Sequence, residues 1–222
     1  MAGGSALRRS WHAAPVTLSI AALTALVWLV AFSLQRTGLL IQQASFLPEQ
    51  LGATPDAGVV IPAWVTPLTT LFVHDGLAHL ALNVLALVAF GRAVEPAVGS
   101  LGLLILYLAG AIAAAAVFFL VHPAEIGLHW AGAGGSAGAL LGAYAILFGS
   151  SRTIPKGRLA KARLARWTYA LWLCVGWTAL SMLVMLPAAG FFVIYYPAAL
   201  IAAFAAGLLL GRPLLLFRYR KA

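Results

Sequence analysis

Two stretches of this chain carry polar residues at spacings that suit chemistry. The first is His74-Asp75-Gly76-Leu77-Ala78-His79-Leu80-Ala81-Leu82-Asn83. Four residues is about one helical turn, so His79 and Asn83 share a helix face. Asp75 is positioned to cap the start of that helix and leave His74 at its mouth. A face of imidazole and carboxamide donors suits a developing oxyanion. The same residues could instead form a polar seam that hydrogen-bonds neighbouring helices. A metal centre is not expected, because no cysteine or carboxylate accompanies the histidines at a ligand spacing. Nothing in the sequence calls for a cofactor.

The second stretch is Gly132-Ala133-Gly134-Gly135-Ser136-Ala137-Gly138-Ala139. Small residues let backbones approach closely, and Gly134, Gly138 and Gly142 make a small-xxx-small stripe. They also leave first-turn N–H groups uncovered. Ser136 is the one hydroxyl here, but a serine is a weak nucleophile without an adjacent base.

Both stretches must be held by elements that live in lipid. The chain is 63% hydrophobic and 9% charged, with a mean hydropathy of +0.99. That inventory cannot cover a soluble domain with a polar skin. Apolar runs fall at 16–34, 63–91, 101–121, 131–149, 167–186 and 191–211, each close to the roughly 20 residues that a membrane-crossing helix needs. Polar residues early in the second run put its helix start inside it. The alternation of a membrane barrel is absent, so the fold class is all-α and polytopic.

Of the 14 lysines and arginines, 13 fall before the first run, after the second, between the fourth and fifth, or after the sixth; the exception is Arg36. By the positive-inside rule both termini are cytoplasmic. The expected organisation is a single domain over 1–222. It has a cytoplasmic segment over 1–15, a long non-cytoplasmic loop over 35–62, a basic cytoplasmic loop over 150–166 and a basic tail over 212–222. The basic loop reads as a surface-lying amphipathic turn or two. The excess positive charge is an attraction to anionic headgroups rather than a nucleic-acid surface. Trp11, Trp64, Trp130 and Trp167 fall near span ends, where such rings settle at headgroup level. Trp28, Trp172 and Trp177 fall within spans.

In this order and on these spans, the two stretches resemble the rhomboid family of intramembrane serine proteases. His74, His79 and Asn83 match its H-x4-H-x3-N. Gly91, Glu95 and Gly99 resemble the end of its second helix and the turn that follows. Gly132-Ala133-Gly134-Gly135 with Leu140-Leu141-Gly142-Ala143-Tyr144 resembles the stretch carrying its G-x-S-G nucleophile. Ala206-Gly207 through Gly211-Arg212-Pro213 resembles the end of its sixth helix. The resemblance implies a bundle of six transmembrane helices with both ends inside. It also implies a nucleophilic serine on the fourth helix and a histidine base on the sixth.

Aligned through Leu140–Tyr144, the serine position holds Gly134. Aligned back from Gly207 and Gly211, the histidine position holds Leu200. Ser136 lies two residues on from Gly134, which rotates it about 200° to the opposite face. The five histidines are His12, His74, His79, His122 and His129, none in the last two spans. The expectation is a pseudoprotease in a bacterial inner membrane that binds transmembrane helices of partner proteins or stabilises a membrane complex. His74, His79 and Asn83 would remain as its polar pocket. The alternatives are an active protease that uses Ser136, and a purely structural subunit.

Overall fold

A computed structural model describes residues 14–51, 60–121, 128–149, 159–189 and 194–220. The expected N-terminal segment up to residue 13, the middle of the long loop, the 150–158 part of the basic loop and the last two residues lie outside them.

The first span is α1, Pro15–Ser33. Proline at its first position brings a preset φ and lacks only a donor that would have had no helical partner. Ala14 offers no side-chain cap; the cap arrives from far along the chain. The Glu95 carboxyl accepts from the N–H groups of Val16 at 3.0 Å and Thr17 at 2.8 Å, and from the Thr17 hydroxyl at 2.7 Å. The Ser100 hydroxyl donates to the same carboxyl at 2.9 Å. Near the other end of α1, Trp28 Nε1 donates to the carbonyl of His74 at 3.1 Å. These two ties, one at each end, set α1 antiparallel to the 74–95 segment.

After α1 come a short helix α2, Thr37–Ala44, a one-turn helix α3, Thr66–Thr69, and 3-10 turns at Pro48–Leu51, Ala63–Val65 and Thr70–Phe72. Next is α4, Leu77–Val121, whose start falls inside the second apolar run as expected. Its 45 residues are broken at Gly99, with φ 81° and ψ 165°. A straight helix of that length would be about 68 Å long, twice the hydrocarbon thickness. Glycine takes a positive φ without the Cβ penalty of other residues, so the element is two spans joined at one residue. Both outer ends return to the same level: His79 lies beside Gly132, and Phe118 packs on Trp130 with ring centroids 5.5 Å apart.

The remaining spans are α5, Gly134–Phe148, α6, Leu159–Ala189, and α7, Tyr196–Arg218. At 15 residues α5 is about 22 Å long, short of the bilayer core. Its position makes up the difference, since every residue from 131 to 143 is buried and its start is enclosed by protein. A Cβ on Gly207 would lie 1.9 Å from the Ala139 carbonyl oxygen, and one on Gly142 would lie 2.1 Å from that of Phe204. The backbones of α5 and α7 therefore touch, and only glycine fits at either point. Gly135 meets the second half of α4 in the same way, since a Cβ there would lie 2.9 Å from the Gly110 carbonyl oxygen. Counting α4 as two, the described residues hold six spans, in agreement with the six apolar runs.

Two expected boundaries move. The sixth apolar run ends at 211, but α7 continues through Pro213 to Arg218. The fifth begins at Leu159 rather than 167, which makes the second half of the basic loop a continuation of α6 rather than a separate surface turn. Leu, Ala, Lys and Arg are strong helix formers, and a helix does not have to stop where the hydrocarbon does. Trp130 does not present its ring to headgroups but packs inside the protein. It is 3% exposed and stacks on Tyr196 with interplanar angle 27°. Arg218 Nη1 donates to the carbonyl of Glu95 at 3.3 Å. The end of α7 thus meets the beginning of α1 at Glu95, and both described termini lie at the Gly99 end of the bundle.

Candidate functional site

At the opposite end, α4, α5, α6 and α7 converge on a small cavity of about 20 Å³. Its lining includes His79, Asn83, Gly134, Ser181, Tyr196 and Leu200. The glycine that opens α5 and the leucine near the start of α7 face each other there. A Cβ on Gly134 would lie 3.5 Å from Leu200 Cδ2 and 3.7 Å from Asn83 Oδ1. Gly134 and Leu200, the two positions expected to correspond to a nucleophile and its base, thus border one cavity, and neither brings a polar side-chain atom to it.

His79 and Asn83 share a face, one turn apart in the first half of α4. Gly132 closes against them with φ +89°, and a Cβ there would come within 2.5 Å of His79 Nε2 and 2.9 Å of Asn83 Nδ2. The Gly132 N–H donates to the Thr70 carbonyl at 3.0 Å, and the Thr70 hydroxyl donates to the Trp130 carbonyl. The loop before α5 is held in turn by a two-bond antiparallel bridge between Phe46 and Trp130. Shape therefore fixes the two side chains, since Asn83 Nδ2 and His79 Nδ1 are buried without a hydrogen-bond partner.

Ser136 is elsewhere. Its hydroxyl is fully buried and donates to the Tyr107 carbonyl at 2.6 Å, toward the second half of α4 and away from the cavity. The rotation expected from helical geometry is the one found.

Around the mouth, Asp75 does not take the helix-capping role that spacing suggests. Its Oδ1 lies 3.2 Å from His129 Nε2, a hydrogen bond, and its Oδ2 lies 3.6 Å from His79 Nδ1, too long for one. Burial alone would raise the Asp75 carboxyl, but the contacts from His129 and then His79 outweigh it and hold it below the usual carboxylate range. His74 is 1% exposed and packs edge-on against the His79 ring, with centroids 4.9 Å apart. Neither of its ring nitrogens has a hydrogen-bond partner. Burial first, then the neighbouring His79, lower its pKa to about 3, so His74 stays neutral well into acid.

Sequence spacing missed four contributors. Ser181, Tyr196 and Trp130 line the cavity from α6, from the start of α7 and from the loop before α5. His129 reaches Asp75 across 54 residues, and the Tyr196 hydroxyl donates to its carbonyl at 2.9 Å. Ser181 carries the one available signal, a hydroxyl at depth in an apolar run, and its oxygen is buried without a partner. The described residues include no group of three or more metal-ligating side chains.

The family model for the rhomboid domain matches residues 62–217. The chain is 38% identical over 92 residues to Rhomboid protease GluP of Bacillus subtilis (strain 168), covering 41% of this chain and 17% of that one. It is 36% identical over 85 residues to Rhomboid-like protein 11, chloroplastic, of Arabidopsis thaliana, covering 38% and 29%. The aligned regions thus span less than a third of the length of either curated relative. No solved structure matches. With a rhomboid domain across most of its length and helices long and apolar enough to cross a bilayer, this integral membrane protein belongs to the rhomboid family.

Proposed function

We propose that the chain is a rhomboid pseudoprotease, a single-domain scaffold that receives transmembrane helices of other membrane proteins and holds them, or the complex they form, without cutting them. The observation that carries this reading is the pairing of Gly134 with Leu200 across the cavity. Peptide hydrolysis needs a nucleophile with a base within hydrogen-bond reach. Here a glycine and a leucine stand at that point, while His79 and Asn83 keep the donors that could hold a backbone carbonyl. One relative carries "protease" in its name, but its aligned part is a small share of that protein. The basic residues at the Gly99 end support a cytoplasmic placement of that end, and so of both termini, in a bacterial inner membrane.

Two measurements test this. The unmodified protein should not react with a fluorophosphonate serine probe. Labelling that disappears in Ser136→Ala or in Ser181→Ala would overturn the reading and identify the nucleophile. A photocrosslinking residue at Met185, beside the cavity, should capture an intact transmembrane polypeptide in the native membrane; recovery of cleaved fragments would assign the site to proteolysis.

A further inference from the structure

A second cleft lies at the other end of the bundle, between the Gly99 turn and the last turns of α7. Its volume is about 290 Å³. Val98, Leu101, Ile105, Leu214 and Phe217 form apolar walls, and Arg218 is the charged residue in its lining. The walls open on the lipid-facing side, where Leu101 is 66% and Phe217 56% exposed.

Arg218 is held in place before any ligand arrives. Its Nη1 donates to the carbonyls of Glu95 and Pro96, at the end of the first half of α4. Among the described residues Nη1 is the one nitrogen of this guanidinium with a hydrogen-bond partner, leaving donors on Nε and Nη2. A second cation, Arg220, lies over the Phe217 ring at 4.2 Å. Glu95 is the acid described at this end, and it is 2% exposed with its carboxyl turned to α1 and Ser100. Among the described residues, therefore, no exposed carboxylate opposes the positive charge at the cleft.

We propose that this cleft binds an anionic phospholipid, with its phosphate on Arg218 and Arg220 and an acyl chain along Leu101, Ile105 and Leu214. Basic clefts between membrane helices suit anionic headgroups. A free phosphate would leave the apolar walls unused, and a hydrocarbon chain alone would leave the fixed guanidinium unused. The site is separate from the His79–Asn83 cavity and stands whether or not that cavity is catalytic.

The test is native mass spectrometry of the full chain in detergent, titrated with phosphatidylglycerol or phosphatidylcholine. Phosphatidylglycerol should be retained about twenty-fivefold more tightly, as expected for two arginines near a headgroup at about fivefold each. Ile105→Trp fills the cleft without changing charge and should abolish that preference. Arg218→Gln should weaken phosphatidylglycerol about fivefold. If Arg218→Gln does not fold, because it also loses the α4 carbonyl contacts, Arg220→Gln with Ile105→Trp decides the matter. Equal retention of the two lipids, or a preference that survives Ile105→Trp, would reduce the cleft to ordinary boundary lipid and overturn the proposal. Displacement of the lipid by glycerol 3-phosphate at similar affinity would assign the site to free phosphate and overturn it equally.

Discussion

The two ends of the first half of α4 bury polar side chains under opposite terms. At the Gly99 end, the Glu95 carboxyl takes four hydrogen bonds from three residues on two elements. At the His79 end, both nitrogens of His74, Nδ1 of His79, Nδ2 of Asn83 and the Ser181 oxygen are buried without one. A buried polar group costs free energy unless it is bonded, so a fully satisfied cluster reads as a clasp that locks helices together. An under-satisfied cluster kept beside a cavity stabilises little by itself and is suited to a visiting group. One helix thus carries both a fastening and a receptor, and hydrogen-bond bookkeeping tells them apart better than residue type does.

The sharpest way to break this comparison is Glu95→Ala. It strands the N–H groups that begin α1 and should cost about 3 kcal/mol or more, since several bonds and their desolvated donors are lost together. Thermal unfolding in detergent measures it, and a loss below about 1 kcal/mol would mean that the clasp is ornamental. Gly132→Ala should come next, at about 2–3 kcal/mol, because it combines a left-handed backbone with overpacking against His79 and Asn83. It tests whether shape, rather than bonding, fixes the receptor end.

Acid offers a third lever. His74 has a folded pKa lowered to about 3 from an ordinary 6.5, so between those values the unfolded chain binds the extra proton. Stability from this group is therefore present above about pH 6.5 and lost as pH falls toward 3, by about 2 kcal/mol between pH 7 and pH 5. His74→Phe should flatten that part of the profile; an unchanged profile would mean that His74 is not the group responsible. The smallest effect should be Asn83→Leu, within about 1 kcal/mol, because it replaces an under-bonded polar group by an apolar one of similar size. A cost near that of Glu95→Ala would erase the distinction between the two ends.

Much of this architecture is legible in the residues, and the gaps have physical causes. Apolar run length locates all six spans, because hydrocarbon thickness imposes it. It cannot mark where helices end: α7 runs on past Pro213 and α6 starts early at Leu159, since charged residues leave the lipid without leaving the helix. The rotation of Ser136 away from Gly134 follows from helical periodicity alone. The facing of Gly134 by Leu200, seen in the structure, follows from no local pattern, and in the sequence only the family resemblance brings the two together. The pairing of Asp75 with His129 was invisible because it joins residues 54 apart through the closure of a loop. The favoured local alternative, a helix cap, was equally plausible in sequence. Ser181 escaped because a single hydroxyl in an apolar run has no partner spacing to betray it.

The one-residue turn at Gly99 also bears on how the protein is made. With one residue in place of a loop between the halves of α4, neither half can settle in the bilayer while the other waits in water. The two would have to leave the translocation machinery as a single hairpin, committed together.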